Sequence, residues 1–302
     1  MPQHGALLSV RFGLSGSTLF AALIAVGLIS LRRRMLARHH LPPPSSSGCF
    51  GIIVGSSPPR EYLCRLQLIP FIVSTPFGRV TLHRAADPTG RGIPIIVLFR
   101  HTEALTTVAP NINHRAHIWA LRAAGVTVLL LLSSVGAIAK DVPRWTPVLI
   151  DDLLMLDNRL PDGSPCTYGN GYLISPGASL LSRSLITQLQ QSWIKGDPDA
   201  SLRTVTYWYQ VGPRVKSKAE SRLLIEMGAH VNSMTLGPEI LLANELSMAV
   251  IAAGIVHVPS AGFDEQVSVK ASLEHVDFSP LIDCFLRACD PLTPCSTSMY
   301  YP

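Results

Sequence analysis

Short uninterrupted apolar runs alternate along this chain with longer segments in which apolar residues recur every three or four positions. The runs predict buried strands at Gly51 to Val54, Ile95 to Phe99, Val126 to Leu132, Val148 to Leu153, Val205 to Gln210, His230 to Met234 and Ala249 to Val258. The periodic segments predict helices at Ile112 to Ala124, Pro176 to Gln191, Ser217 to Met227 and Pro238 to Leu246. A C-terminal helix is predicted inside Val267 to Ala288, kinked at Pro280. Strands alternating with helices predict an α/β fold, a mostly parallel mixed sheet flanked by helices, with the loops after the strands converging on one site.

Helix ends are marked by local chemistry. Ser217 with Glu220 makes a capping box, and Pro238 followed by Glu239 opens a helix. On the helix after the Arg100 loop, Ile112, Ala116, Trp119, Ala120 and Ala123 share one face, with Trp119 as compatible with a core as with a subunit interface. Asp157 to Gly177 reads as a long loop, and no internal repeat is visible.

With 302 residues, 47% of them hydrophobic and 15% charged, the chain can bury one substantial core. The net charge of +5 is concentrated in Arg32 to Arg34 and Arg38, and no basic stripe interleaved with aromatics occurs elsewhere. Nucleic acid is therefore not expected as a partner. Cys49, Cys64, Cys166, Cys284, Cys289 and Cys295 show no metal-ligand spacing, so buried thiols in a reducing compartment, and no metal, are expected. Residues 1–48 stand apart from a domain at 49–302. Residues 14–31, LSGSTLFAALIAVGLISL, are followed by RRRMLARHH and a PPPSSSG linker. Two readings stand: a single membrane span, or a stretch ahead of a translation start at Met35. Both leave the larger domain in the cytoplasm.

Candidate chemistry begins at Leu98 to Gly125, where a predicted strand ends in Arg100 and His101. Arginine offers a planar fork of donors to an oxyanion, and a neighbouring histidine exchanges protons near neutrality. Four further segments follow the same logic of a strand or turn ending in small, hydroxyl or glycine residues. They are GIIVGSS at 51–57, TVLLLLSSVGAI at 127–138, QVGPRVKSKAES at 210–221 and NSMTLGPEILLANE at 232–245.

Taken together and in this order, the segments resemble the trimeric purine nucleoside phosphorylases, and more closely their methylthioadenosine and methylthioinosine phosphorylase branch. The similarity runs from about Gly51 to about Gly262. It is carried by Arg100-His101 followed by Asn113 and His117 to Leu121, by the GPR-x-x-[ST]-x-AE pattern at Gly212 to Glu220, and by the M-T-x-x-PE pattern at Met234 to Glu239. The resemblance implies phosphorolysis of a purine nucleoside or a 5'-modified one by a cytoplasmic homotrimer. Inorganic phosphate would be the co-substrate and no other cofactor is implied. It assigns phosphate to Ser56, Arg100, His101, Ser133, Ser134 and Thr235, with Arg100 and His101 as the catalytic pair, and lays Met234 against the ribose.

The departures from the pattern fall at two places. Val54 and Ser57 stand where the family has Gly in the first turn. At the base site Val215 replaces a stacking Phe, Lys216 replaces a Glu or a small hydroxyl residue, and Val258 replaces the Asn or Asp that bonds the leaving purine. Valine can neither donate nor accept a proton, a loss worth on the order of 10² to 10⁴ in rate. His257, one position earlier, would substitute if the strand slipped or bulged, whereas regular strand alternation turns it to the face opposite Val258. Two other readings therefore stay open: a degenerate relative that binds without turnover, and a hydrolytic nucleosidase, against which the retained Arg100 and His101 argue.

Overall fold

The elements run in the order β1 (Phe50–Val54), α1 (Arg60–Arg65), β2 (Ile69–Thr75), β3 (Gly78–Ala85), β4 (Ile95–Phe99), α2 (His114–Ala123), β5 (Val128–Ala137), β6 (Pro147–Leu154), β7 (Tyr172–Ile174), α3 (Arg183–Gly196), β8 (Arg203–Tyr209), α4 (Lys218–Glu226), β9 (Val231–Ser233), α5 (Leu236–Glu245), β10 (Ala249–Pro259), α6 (Ser279–Ala288) and β11 (Ser298–Tyr300). This computed structural model describes residues 46–169, 171–174, 179–196, 202–259 and 273–300, all within a unit spanning residues 41–302. The extension before residue 46, with its candidate membrane segment, lies outside the described residues. Among the described residues no helix is long and apolar enough to cross a membrane.

Nine strands form one sheet in the order β10-β6-β8-β9-β5-β1-β4-β3-β2, and β10 also pairs with β5. Strands β5, β9, β8, β6 and β10 thus close on themselves, while β1, β4, β3 and β2 extend from β5 as an open wing. The pairings β1–β4, β1–β5, β5–β10, β6–β8 and β8–β9 are parallel; β2–β3, β3–β4, β5–β9 and β6–β10 are antiparallel. The α/β mixed sheet expected from the sequence is the one observed. Its centre is the part that reads as unbroken apolar sequence: Ile52, Ile53, Val54 and Val128 to Leu132 are fully buried, as strands covered on both faces must be.

One predicted helix cap is observed and one cap was not foreseen. Asn113 accepts from the Ala116 amide at 3.1 Å at the start of α2, and the Ser217–Glu220 capping box closes in both directions at α4. Trp119 is 3% exposed and meets Phe77 and Tyr168 at ring-centroid distances of 5.8 and 5.7 Å, so it belongs to the core of the subunit. On the opposite side Phe285 of α6 packs on Phe50 at 4.7 Å.

Several boundaries differ from expectation, each for a tertiary reason. Strand β5 continues past Leu132 to Ala137 because β10 pairs along its whole length, so Ser133 and Ser134 lie within a strand and not in a turn after it. Pro280 sits in the first turn of α6, where its missing N–H costs nothing, and starts that helix instead of kinking it. Helix α5 begins at Leu236, two residues before Pro238, and the observed α3 begins at Arg183; residues 175–178 lie outside the described residues. Helix α1 and the β2–β3 hairpin were not foreseen. β2 is an edge strand whose Ile69 and Ile72 face outward at 64% and 56% exposure, so its apolar pattern carries no burial rhythm. All six cysteines are unpaired, but only Cys49, Cys166 and Cys289 are buried, against the expectation for the whole set; Cys64 is exposed. Burial pushes the three buried thiols up to about 12.

Because Trp119 fills core volume, Trp119→Ala is expected to lower unfolding free energy by about 3–5 kcal/mol in a denaturant titration. A loss below about 1 kcal/mol would return the residue to the surface class.

Candidate active site

The site is built where the sheet divides. On one edge of β5, β1 is the partner through Leu131 and β9 takes over at Gly136. Leu132 to Val135 lie between these two partners, so Ser133 and Ser134 face the opening that the diverging strands leave. Four connections arrive there: Gly55 and Ser56 after β1, Arg100 and His101 after β4, Met234 and Thr235 after β9, and the end of β10. Together they enclose a cavity of about 290 Å³. The predicted phosphate residues Ser56, Arg100, His101, Ser133, Ser134 and Thr235 all line it, and so do Met234, Val215, Lys216 and Val258. A volume of this order suits a small molecule.

Arg100 is the fixed point of one end. It is 1% exposed, and its Nε and Nη2 donate to Glu239 Oε1 and Oε2 at 2.6 and 2.7 Å, while Nη1 donates to the Leu132 carbonyl at 2.8 Å. Five guanidinium hydrogens minus these three leaves two, on Nη1 and Nη2, for a ligand. Gly55 makes this placement possible, since a Cβ there would lie 2.8 Å from Nη1 and 3.2 Å from the Leu132 carbonyl oxygen. The close approach questioned at Val54 and Ser57 is thus made at Gly55. Val54 is buried in β1, and Ser57 Oγ donates to the Leu273 carbonyl at 3.2 Å.

His101 Nδ1 stands 2.7 Å from the Thr107 carbonyl, so that nitrogen carries the proton and Nε2 is the lone-pair nitrogen of the neutral ring. Burial, then the neighbouring Arg100 charge, lowers its pKa below the usual histidine value, which favours that neutral form. The hydroxyls are linked in two strings: Ser56 to Ser134 to Ser57 at 3.5 and 3.3 Å, and Ser133 to Ser233 to Tyr207 at 3.0 Å each. Thr235 differs from them. It is the N-cap residue of the ten-residue helix α5, yet its hydroxyl makes no capping bond and is buried without a partner. An unpartnered, buried hydroxyl at a helix N-terminus is the arrangement an anion would complete.

The other end of the cavity is lined by Gln210, Val215, Lys216, Asn232, His257 and Val258. Alternation placed His257 away from Val258, but the β5–β10 register passes from Val256↔Val135 directly to Val258↔Gly136. One extra residue is accommodated as a bulge, and His257 and Val258 both reach the cavity. Burial, followed by the Arg144 charge, lowers the His257 pKa to about 4, so this ring is neutral at physiological pH.

Sequence reasoning overlooked the roles of Glu239, Gln210, Asn232 and Ser233. For Glu239 a signal existed: a buried guanidinium requires a carboxylate, and Glu239 is the one inside the matched M-T-x-x-PE pattern. For Asn232 the two-residue strand period put it on the same face as Met234. Among the described residues no group of His, Cys, Asp or Glu is arranged to hold a metal ion.

Comparison with known proteins places these features in a wider set. The Phosphorylase superfamily profile matches residues 50–278. The S-methyl-5'-thioadenosine phosphorylase of Xenopus tropicalis is 28% identical over 202 residues, covering 65% of this chain and 70% of that protein. A probable 6-oxopurine nucleoside phosphorylase of Thermococcus kodakarensis is 30% identical over 199 residues, or 63% of this chain and 72% of its own length. Among solved structures, the methylthioadenosine phosphorylase of Schistosoma mansoni in complex with adenine superposes with a TM-score of 0.68. At 23% identity it covers 79% of this chain and 89% of that one, a likeness of fold.

Burial alone would raise the Glu239 carboxyl, but the Arg100 charge and the hydrogen bonds the guanidinium donates outweigh it and hold the pKa well below the usual range. A depressed carboxyl contributes stability above its unfolded pKa of about 4.3 and loses it as pH falls toward the folded value. Glu239→Gln is therefore expected to flatten the acid limb of the stability–pH curve below about pH 5. Glu239→Leu, which leaves Arg100 uncompensated, is expected to cost about 3–5 kcal/mol by chemical denaturation. Parent-like acid sensitivity in the Gln variant would contradict the pairing.

Proposed function

The chain belongs to the phosphorylase superfamily, and on that premise we propose that it catalyses phosphorolysis of a purine nucleoside or 5'-modified purine nucleoside to free base and the corresponding ribose 1-phosphate. The observation that carries this is the convergence of Arg100, His101, four hydroxyl residues and the N-terminus of α5 on one cavity, with the Thr235 hydroxyl unpartnered. Inorganic phosphate is the only co-reactant the reaction needs.

The geometry suits each requirement of the step. Hydrogen phosphate must be held as a dianion against a sugar carbon that gains positive charge as its bond to the base breaks. Two remaining Arg100 hydrogens and the Thr235 hydroxyl supply donors on one side, and Ser56, Ser133 and Ser134 supply hydroxyls on the other. Each charge-assisted bond is worth about 1.5–3 kcal/mol. The Glu239 carboxylate keeps the guanidinium plane fixed, so little conformational freedom is lost when phosphate arrives. Phosphate gives up its proton on becoming the ester, and His101 Nε2 is the basic nitrogen at that end. Met234 is placed to cover the ribose, and the departing base meets Lys216, Asn232 and His257 where the resemblance implied an acidic or amide side chain.

A homotrimer goes with this reading, the exposed Ile69, Ile72 and Val108 side chains being apolar surface that packing against a second copy would cover. The unpaired state of all six cysteines agrees with a cytoplasmic location.

Phosphate dependence tests the reaction class: with inosine, adenosine, methylthioadenosine or methylthioinosine, ribose 1-phosphate or its methylthio counterpart is expected only when phosphate is present. Free sugar formed without phosphate would establish hydrolysis instead, and nucleoside binding without product would establish a non-catalytic role. Thr235→Val, which removes only the hydroxyl, is expected to raise the KM for phosphate about 10- to 100-fold. Arg100→Ala is expected to lose phosphate affinity as well, and unchanged phosphate affinity in both variants would overturn the site.

A further inference from the structure

Among the described residues, Lys216 is a buried cation with no carboxylate bonded to it. It is 4% exposed, and its Nζ donates to Asn232 Oδ1 at 2.7 Å, an amide and not a carboxylate. The acidic residue whose charge reaches it, Glu220 on α4, is already held by two bonds from Arg214 at 2.6 and 2.8 Å. Asn232 is turned by its own Nδ2, which donates to Gln210 Oε1 at 3.4 Å, so its oxygen stays toward the lysine. The Trp208 ring lies on another side, its centroid 5.9 Å from Nζ. One ammonium proton is used and two remain, all three being donors. An ammonium in such surroundings is costly unless a ligand supplies an acceptor.

We propose that Lys216 makes this site selective for 6-oxopurine nucleosides over 6-aminopurine nucleosides, an inference that rests on the phosphorolysis reading for its substrate class. When the C1'–N9 bond breaks, its electron pair passes to the purine while a phosphate oxygen forms the new bond to C1'. In a 6-oxopurine that negative charge spreads to O6 and N7, two acceptors that a donor-only group can bond. The proton hydrogen phosphate loses is the one the neutral base finally carries, so the step balances. A 6-aminopurine keeps the N7 acceptor but turns an N–H donor at C6 toward the ammonium, so one of the two bonds is lost and two donors face each other. Val258 and neutral His257 at the same end supply no carboxylate that would reverse this preference.

The pH dependence has a definite sign. Burial lowers the Lys216 pKa to about 8, with Glu220 acting weakly against it. The ammonium, and with it the selectivity, is present below that value and lost above it. The other ionisable groups on the cavity are His257 from β10, lowered to about 4, His101, also lowered, and Arg100, paired with Glu239 of α5. Neither histidine gains charge above neutrality, and the ionisation of phosphate cancels in a ratio of two substrates; the N1–H of the oxo nucleoside ionises on its own at alkaline pH, so the Lys216 contribution is the difference between the parent profile and that of Lys216→Met.

The experiment measures kcat/KM with inorganic phosphate for inosine against adenosine, and for methylthioinosine against methylthioadenosine, from about pH 6.5 to about 9.5. The oxo substrate of each pair is expected to be favoured about 10- to 100-fold near neutrality, the ratio falling as pH passes about 8. Lys216→Met is expected to bring the ratio near unity and remove the Lys216 contribution to its pH dependence. Equal or better use of the amino substrates, or a ratio insensitive to both pH and the variant, overturns the assignment. If no nucleoside yields a sugar phosphate, the phosphorolysis reading has failed by itself, and calorimetric binding of hypoxanthine and adenine decides about Lys216. Tighter hypoxanthine binding in the parent but not in Lys216→Met upholds its role, and equal binding refutes it.

Discussion

The ion pair between Arg100 and Glu239 is the constraint on which the cavity depends. It joins the end of β4 to the first turns of α5, and the same guanidinium also reaches the Leu132 carbonyl of β5. Both partners are essentially inaccessible, so attraction and loss of hydration are large and opposed. In an interior of effective dielectric near 20 the attraction at contact is roughly 4 kcal/mol, of the same order as the cost of stripping water from the ions. The pair therefore adds little net stability compared with an apolar replacement. What it does is fix a charged fork at one orientation, because removing either partner strands the other.

Around that fork the sheet is divided, not continuous. A flat sheet would have paired both edges of β5 along its length, and the hydroxyls of Ser133 and Ser134 would have stood between neighbouring strands. Instead β1 leaves after Leu131 and β9 joins at Gly136, so the intervening backbone borders a cavity. The closed set of β5, β9, β8, β6 and β10 carries the base end, and the wing of β1 and β4 carries Gly55, Ser56, Arg100 and His101. The cavity thus draws its lining from both parts of one sheet.

The end that would hold the base is where this chain departs from its relatives' pattern, and the departures compensate one another spatially. Val258 brings no polar group, but the bulge ahead of it turns His257 inward; Lys216 brings a cation where an acid or a hydroxyl is implied, and Asn232 and Gln210 orient it.

Much of this was legible from the chain itself. Apolar runs marked the central strands within a few residues, the Ser217–Glu220 box marked a helix start, and the matched segments named every residue proposed to meet phosphate. These are local properties: periodicity reports burial, and a cap bonds amides within its own turn. The Glu239 partner of Arg100 lies 139 positions away, the interval on β5 depends on where two other strands end, and the inward turn of His257 depends on a register shift against β5. Such features are chosen by neighbours that the chain meets only after folding. Residue types therefore announced the chemistry, while the tertiary structure alone decided which groups face one another.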